Sequence, residues 1–125
     1  MGLFRIVVEV ARAGRRVRWV EILDMLVDSG SEVTWVPEGI VRELGIAVFK
    51  PGEVFLMADG RRIVRDVGVA LIRHGQFKTV DEVVFARPGD LRLLGARTLE
   101  GFNATVDARH KRLVASGPLP AAFAA

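Results

Sequence analysis

The stretch Met25-Leu26-Val27-Asp28-Ser29-Gly30-Ser31 sets a carboxylate directly after three apolar residues and directly before a hydroxyl and a glycine. Upstream, Val17–Val27 is an apolar, partly alternating run, which reads as a strand. Downstream, Val33–Val36 is a short strand in which Thr34 and Trp35 favour extended geometry. The stretch is thus a strand that ends sharply, turns and resumes. Asp, Ser and Gly are the ordinary turn residues, so a plain turn is the competing reading, and a short motif carries weight only through its context.

That context is β-rich. Leu3–Ala11 reads as a strand, and Ala13–Gly14 as a turn. Pro37 opens a short helix with Glu38 at its positive end, Ile40, Val41 and Leu44 at helical spacing and Gly45 as its stop. Pro51–Gly52 reads as a turn. Val54–Met57 and Ile63–Ile72 flank Ala58-Asp59-Gly60-Arg61, where Asp-Gly is a strong hairpin signal. Phe77–Ala86 is a further strand, Leu91–Leu94 a tight apolar run ending at Gly95, and Ala96–Phe102 a short helix. Thr105–Asp107 and Arg112–Ala115 form a last hairpin. Residues 1–116 are read as one domain, and 117–125, with two prolines and small residues, as a loose tail. Many short strands with close turns predict a mostly β fold, closed like a small barrel, with one or two short helices.

Composition narrows the function. The 125 residues suit one domain, and half are hydrophobic, enough for a core without staples. There is no cysteine, and His74 and His110 lie far apart without ligand-like neighbours, so neither a metal nor another cofactor is expected. The net charge of +3 comes mainly from arginines spread along the chain, tyrosine is absent, and Arg15, Arg16 and Arg18 cluster beside a glycine turn. A nucleic-acid binder would cluster its basic residues among aromatics, so no nucleic acid is expected. Arg5 and Glu9 interrupt the apolar N-terminus and no apolar run approaches a membrane span, so no membrane partner and a cytoplasmic location are expected. Walker loops, dinucleotide glycine patterns, His-Glu-x-x-His and nucleophile elbows are all missing from the sequence.

Asp28-Ser29-Gly30, the Asp59–Gly60 hairpin and Leu93-Leu94-Gly95 followed by a short helix, in this order, resemble the retroviral-type (retropepsin-like) aspartic protease family. The resemblance runs from about Phe4 to Val114 and is nearest to small prokaryotic members. It implies the retropepsin fold and an aspartic endopeptidase. Asp28 would be the catalytic residue, Ser29 would hydrogen-bond across a dimer, and Gly30 would let the backbone approach the carboxylates. Ser31 would sit beside the outer oxygen of Asp28 and donate to it. Met57, Ala58, Asp59 and Gly60 would form the tip of a flap over a peptide or protein substrate. Leu91 and Leu93 would line its side-chain pockets, with plain core as the competing reading. The sequence departs from the family after Gly95, where Ala96, Arg97 and Thr98 replace the usual residues; Arg97 is placed to pair with Glu32.

The chemistry demands two such carboxylates, one ionised to take a proton from water and one protonated to polarise the carbonyl. One chain has one Asp-Ser-Gly and no second half like the first. A homodimer supplies the pair on its two-fold axis. The terminal strands, Leu3–Val10 and Arg112–Ala115, are expected to contribute to its interface. The alternative is a catalytically inactive retropepsin-like module that dimerises or binds peptides; a basic β-barrel that binds nucleic acid is the third reading.

Overall fold

A computed structural model describes residues 3–121. The described chain is mostly β, with two short helices. Strand β1 (Phe4–Ala11) pairs antiparallel with β2 (Val20–Val27). In β1, Phe4, Ile6, Val8 and Val10 alternate inward. The pairing shifts register between Ile6 and Val8. Such a bulge changes which side chains face inward. Along β2 the buried set accordingly passes from Ile22 to Met25 and Val27, and leaves Leu23 exposed. This explains the imperfect alternation in the sequence of β2.

Next come β3 (Thr34–Pro37), α1 (Glu38–Glu43), β4 (Lys50–Leu56), β5 (Arg62–His74), β6 (Phe77–Ala86) and β7 (Leu93–Leu94). The sheet order is β1-β2-β7-β3-β6-β5-β4. A further pairing of Glu9–Ala11 with Leu71–Arg73 joins β1 to β5, so β4 alone hangs outside a ring of six strands. At the join Arg73 donates twice to Glu9, at 2.9 and 3.2 Å, and its guanidinium lies 4.0 Å from the centre of the Trp19 ring. Helix α2 (Ala96–Gly101) and the hairpin β8 (Ala104–Asp107) and β9 (Arg112–Ala115) follow, and Leu113 of β9 is buried in the core.

Residues 34–36 of β3, residues 83–86 of β6 and both residues of β7 are buried on successive positions, so both faces of the strands are covered there, and all but Thr34 are apolar. Val36, Val83, Phe85 and Leu94 point into the main core. Trp35, Val84, Ala86 and Leu93 point the other way, into a second cluster that also packs Phe55 and Met57 of the β4–β5 hairpin. This second cluster is the apolar bed of the site described below.

Two sequence readings are corrected. Pro51–Gly52 is not a turn between elements but lies inside β4, where the register with β5 shifts between Lys50 and Glu53. Gly52, at φ +63°, supplies the bulge conformation, and its N–H donates to the Asp66 carboxylate at 3.0 Å. Pro37 belongs to β3, opposite Ala86, and caps α1 from outside rather than opening its first turn. The tail reading of 117–125 falls partly on residues outside those described. Within them Gly117 is tied down, its carbonyl accepting from the Asn103 amide at 2.6 Å.

Candidate active site

The Asp28 loop is held from behind. Strands β2 and β7 are parallel, with Leu26 opposite Leu93 and Val27 opposite Leu94. The ladder continues one step past β2, where the Asp28 N–H donates to the Leu94 carbonyl at 3.0 Å. The chain then turns. The Gly30 N–H donates to Asp28 Oδ1 at 3.0 Å and the Ser31 N–H to the Asp28 carbonyl at 3.1 Å, an Asx-type turn. On the far side, N–H groups from the first turn of α2 hold the loop: Ala96 donates to the Ser31 carbonyl at 2.7 Å and Arg97 to the Glu32 carbonyl at 3.1 Å.

Gly95 joins these two supports. Its N–H donates to the Thr34 hydroxyl at 3.0 Å. That N–H fills an acceptor site on Thr34, and the Thr98 hydroxyl donates to Asp81 at 2.7 Å. The Thr34 proton therefore goes to Thr98, over 2.6 Å, and the buried chain of hydroxyls is satisfied throughout. Gly95 itself packs against the Val33 carbonyl so tightly that a Cβ would collide with it. The apolar-apolar-glycine segment is thus the backing of the Asp28 loop.

Asp28 opens into a cleft of about 730 Å³. Its roof is the β4–β5 hairpin. Met57 and Arg61 close that hairpin through the Met57 N–H and Arg61 carbonyl at 2.8 Å, and the Gly60 N–H donates to the Met57 carbonyl at 2.9 Å. Gly60 at φ +87° takes the left-handed position that ends a three-residue loop. Asp59 accepts from the Arg61 N–H at 3.0 Å and from its guanidinium at 2.6 Å. The backbone donor first, and the guanidinium with it, hold the Asp59 carboxyl below the usual range.

The cleft brings together Asp28, Gly30, Ser31, Met57, Ala58, Leu91 and Leu93 of the residues named from the sequence. Ser29, Asp59 and Gly60 are exposed and do not line it. The two leucines differ: Leu91 is 57% exposed on the loop before β7, while Leu93 is buried among Trp35, Val67 and Val84 and serves as core and cleft wall at once. Arg97 and Glu32 do approach, at 3.6 Å, both largely exposed.

One expected contact differs. The Ser31 hydroxyl donates to the Val33 carbonyl at 3.2 Å, not to Asp28, whose Oδ1 takes the Gly30 N–H instead. The Gly30 amide reaches the carboxylate with no side-chain torsion to fix, whereas the hydroxyl rotates to the nearest carbonyl. If the chain is the aspartic protease that the resemblance implies, Ser31→Ala therefore removes no donor from the Asp28 carboxylate. The expected result is an acid limb of the pH–rate profile that stays within about 0.3 unit of wild type, because a group that does not touch the carboxylate gives no direct stabilisation of its charge. An upward shift of about one unit would restore the original contact.

The sequence reading missed much of the lining. Trp35 and Phe55, with ring centres 5.2 Å apart, form the aromatic wall. Lys50 and Glu82 pair at 2.8 Å, and Glu53 also lines the cleft. The period-two pattern of Glu53 and Phe55 in β4, continued by Met57 just past it, was the available signal for the inner face of the hairpin. Among the described residues no three His, Cys, Asp or Glu side chains converge as a metal site, and no helix is long and apolar enough to cross a membrane. Searches of protein-family models, curated proteins and solved structures find no match to this chain.

Proposed function

We propose that the chain is one protomer of a homodimeric aspartic endopeptidase of the retroviral type. The observation that carries this reading is the Asp28 carboxylate, held by the Gly30 amide on a loop backed by β7 and α2, opening into a cleft with an aromatic wall beneath a hairpin. An extended peptide fits such a cleft by adding main-chain hydrogen bonds and seating alternate side chains in its walls.

The chemistry follows from two copies of Asp28. Brought close on a two-fold axis, the two carboxyl groups hold one proton between them, since both cannot ionise at short range. The ionised group takes a proton from water as the water oxygen bonds to the peptide carbon. The protonated group gives its proton to the carbonyl oxygen. The tetrahedral diol then collapses: the carboxyl that took water's proton gives it to the amide nitrogen, a diol hydroxyl returns its proton to the other carboxylate, and the C–N bond breaks, which leaves an acid and an amine. In the single chain, the lining carboxylates Glu32, Glu82 and Asp90 are each engaged by a cation, which leaves Glu53, among the described residues, as the one lining carboxylate besides Asp28 that no cation holds.

Concentration tests the reading. Specific activity on an unfolded protein mixture is expected to fall on dilution through the dimer dissociation constant, in step with the dimer fraction measured by sedimentation. A monodisperse monomer with full activity overturns the model. A dimer that cleaves nothing at any pH favours a peptide-binding module. For the interface, β1 offers a limited edge: β2 fills one side and β5 fills Glu9–Ala11 on the other.

A further inference from the structure

Strand β4 presents Glu53 and Phe55, both half-buried, on its inner face, with half-buried Met57 just past its end, while Val54 and Leu56 are 59% and 71% exposed. Glu53 therefore lies on the same side of the hairpin as the aromatic wall, and it lines the cleft. Its natural partner would be Arg65, the residue directly opposite on β5. Arg65 instead donates twice to Asp90, at 2.7 and 2.9 Å, in a pair whose side chains are only 14% and 13% exposed. A bidentate, nearly dry guanidinium is not free to swing back. The two cations that line the cleft are also taken, Lys50 by Glu82 at 2.8 Å and Arg97 by Glu32 at 3.6 Å. Among the described residues, no hydrogen bond from a side chain and no ion pair reaches the Glu53 carboxylate. The lining thus carries an excess of negative charge in a chain whose net charge is +3.

We propose that Glu53 is a specificity determinant that takes a lysine or arginine side chain of the bound peptide; the substrate class rests on the protease reading above. An extended peptide laid under the hairpin turns alternate side chains toward β4. Those facing Phe55, Trp35 and Leu93 meet apolar walls. The one facing Glu53 meets a half-buried carboxylate without a cation. A basic side chain there makes a charge-assisted hydrogen bond, and its aliphatic stem covers apolar surface. An acidic side chain at that point is repelled, so the same residue selects and rejects. In a two-fold dimer Glu53 occurs on both sides of the scissile bond, so the preference falls on both flanks of the cleaved sequence.

The test uses a set of labelled peptides with one apolar centre, identical except for Lys, norleucine or Glu at each flanking position. Cleavage is read by mass spectrometry, and binding of the same peptides to the Asp28→Asn protein by anisotropy. Wild type is expected to favour Lys over norleucine by about fivefold to tenfold in kcat/KM at one position on each flank. In Glu53→Gln that ratio falls toward one. In Glu53→Lys the order inverts and Glu becomes preferred. Thermal unfolding of each variant shows that the fold is kept. Equal ratios in wild type and Glu53→Gln, or no binding of any peptide, overturn the inference. Charge-selective binding that Glu53→Gln abolishes, without cleavage by wild type, sinks the protease reading and leaves the Glu53 assignment standing.

Discussion

Asp28→Asn is expected to abolish cleavage, with kcat/KM down by about a thousandfold or more, while the fold and the dimer stay as they are. General acid–base groups are each worth on the order of a hundredfold to ten-thousandfold, and in a homodimer the substitution removes both carboxyl groups at once. An amide neither takes a proton from water nor shares one with its twin. The structural cost is small. Asn has the same shape, and its side-chain oxygen can still accept the Gly30 N–H that Asp28 accepts at 3.0 Å. The backbone bonds that fix the loop, from Asp28 to Leu94 and from Ala96 to Ser31, do not involve the side chain. Stability should change by less than about 1 kcal/mol. The measurements are kcat/KM on a quenched peptide, dimer fraction by sedimentation and a thermal melt, all on one preparation. Wild-type turnover in the purified variant would falsify the assignment of Asp28. A variant that loses both activity and dimer would show that the carboxylate holds the assembly together and would leave its chemical role to the pH profile.

The Asp28 loop could be read from sequence because its determinants are local. An apolar strand, a carboxylate that bonds its own backbone two residues on and a glycine are enough to write a sharp turn. The Asp59–Gly60 hairpin was legible for the same reason, with Gly60 at φ +87° in the place only glycine takes easily. Arg97 and Glu32 were paired correctly, but the stronger link between them is the α2 amide on the Glu32 carbonyl, which no pattern of charges announces. What sequence could not supply depends on partners distant in the chain. Pro51–Gly52 looks like any turn until β5 is laid beside it and the bulge appears. Glu53 looks like a solvated charge until Arg65, its neighbour across the strands, is seen to be held by Asp90 from the loop before β7. Ser31 has two candidate acceptors in its sequence neighbourhood, and only the folded loop decides for the Val33 carbonyl over the Asp28 carboxylate.

Gly95→Ala is expected to damage the molecule more than any other single methyl group added to it near the site. The φ of Gly95 is −92°, an ordinary value, so backbone strain is not the reason. The reason is space. A Cβ at Gly95 would meet the Val33 carbonyl and the Glu32 carbonyl carbon, both backbone atoms, and neither can turn aside as a side chain would. Relief requires β7 and the start of α2 to move away from the loop between β2 and β3. That movement pulls on the bonds by which Leu94, Ala96 and Arg97 hold Asp28, Ser31 and Glu32, and on the Gly95–Thr34 bond, whose loss would leave a buried N–H unpaired. Overpacking costs about 1–3 kcal/mol and an unsatisfied buried donor about 1–3 kcal/mol. The two overlap here, so the expected loss is about 3 kcal/mol, or roughly 10 °C in melting temperature for a domain of this size. Cleavage should fall by more than the unfolded fraction explains, because the loop that aims Asp28 has shifted in the molecules that remain folded. Gly39→Ala is the control. Gly39 sits in α1 with nothing within 4 Å of the added Cβ, so alanine there should stabilise the protein by about 0.5–1 kcal/mol through helix propensity. Melts and kcat/KM for both variants, taken at a temperature where each is fully folded, decide the matter. If Gly95→Ala melts within about 2 °C of wild type and cleaves at the wild-type rate, the backing of the Asp28 loop by β7 and α2 is not the rigid support described above.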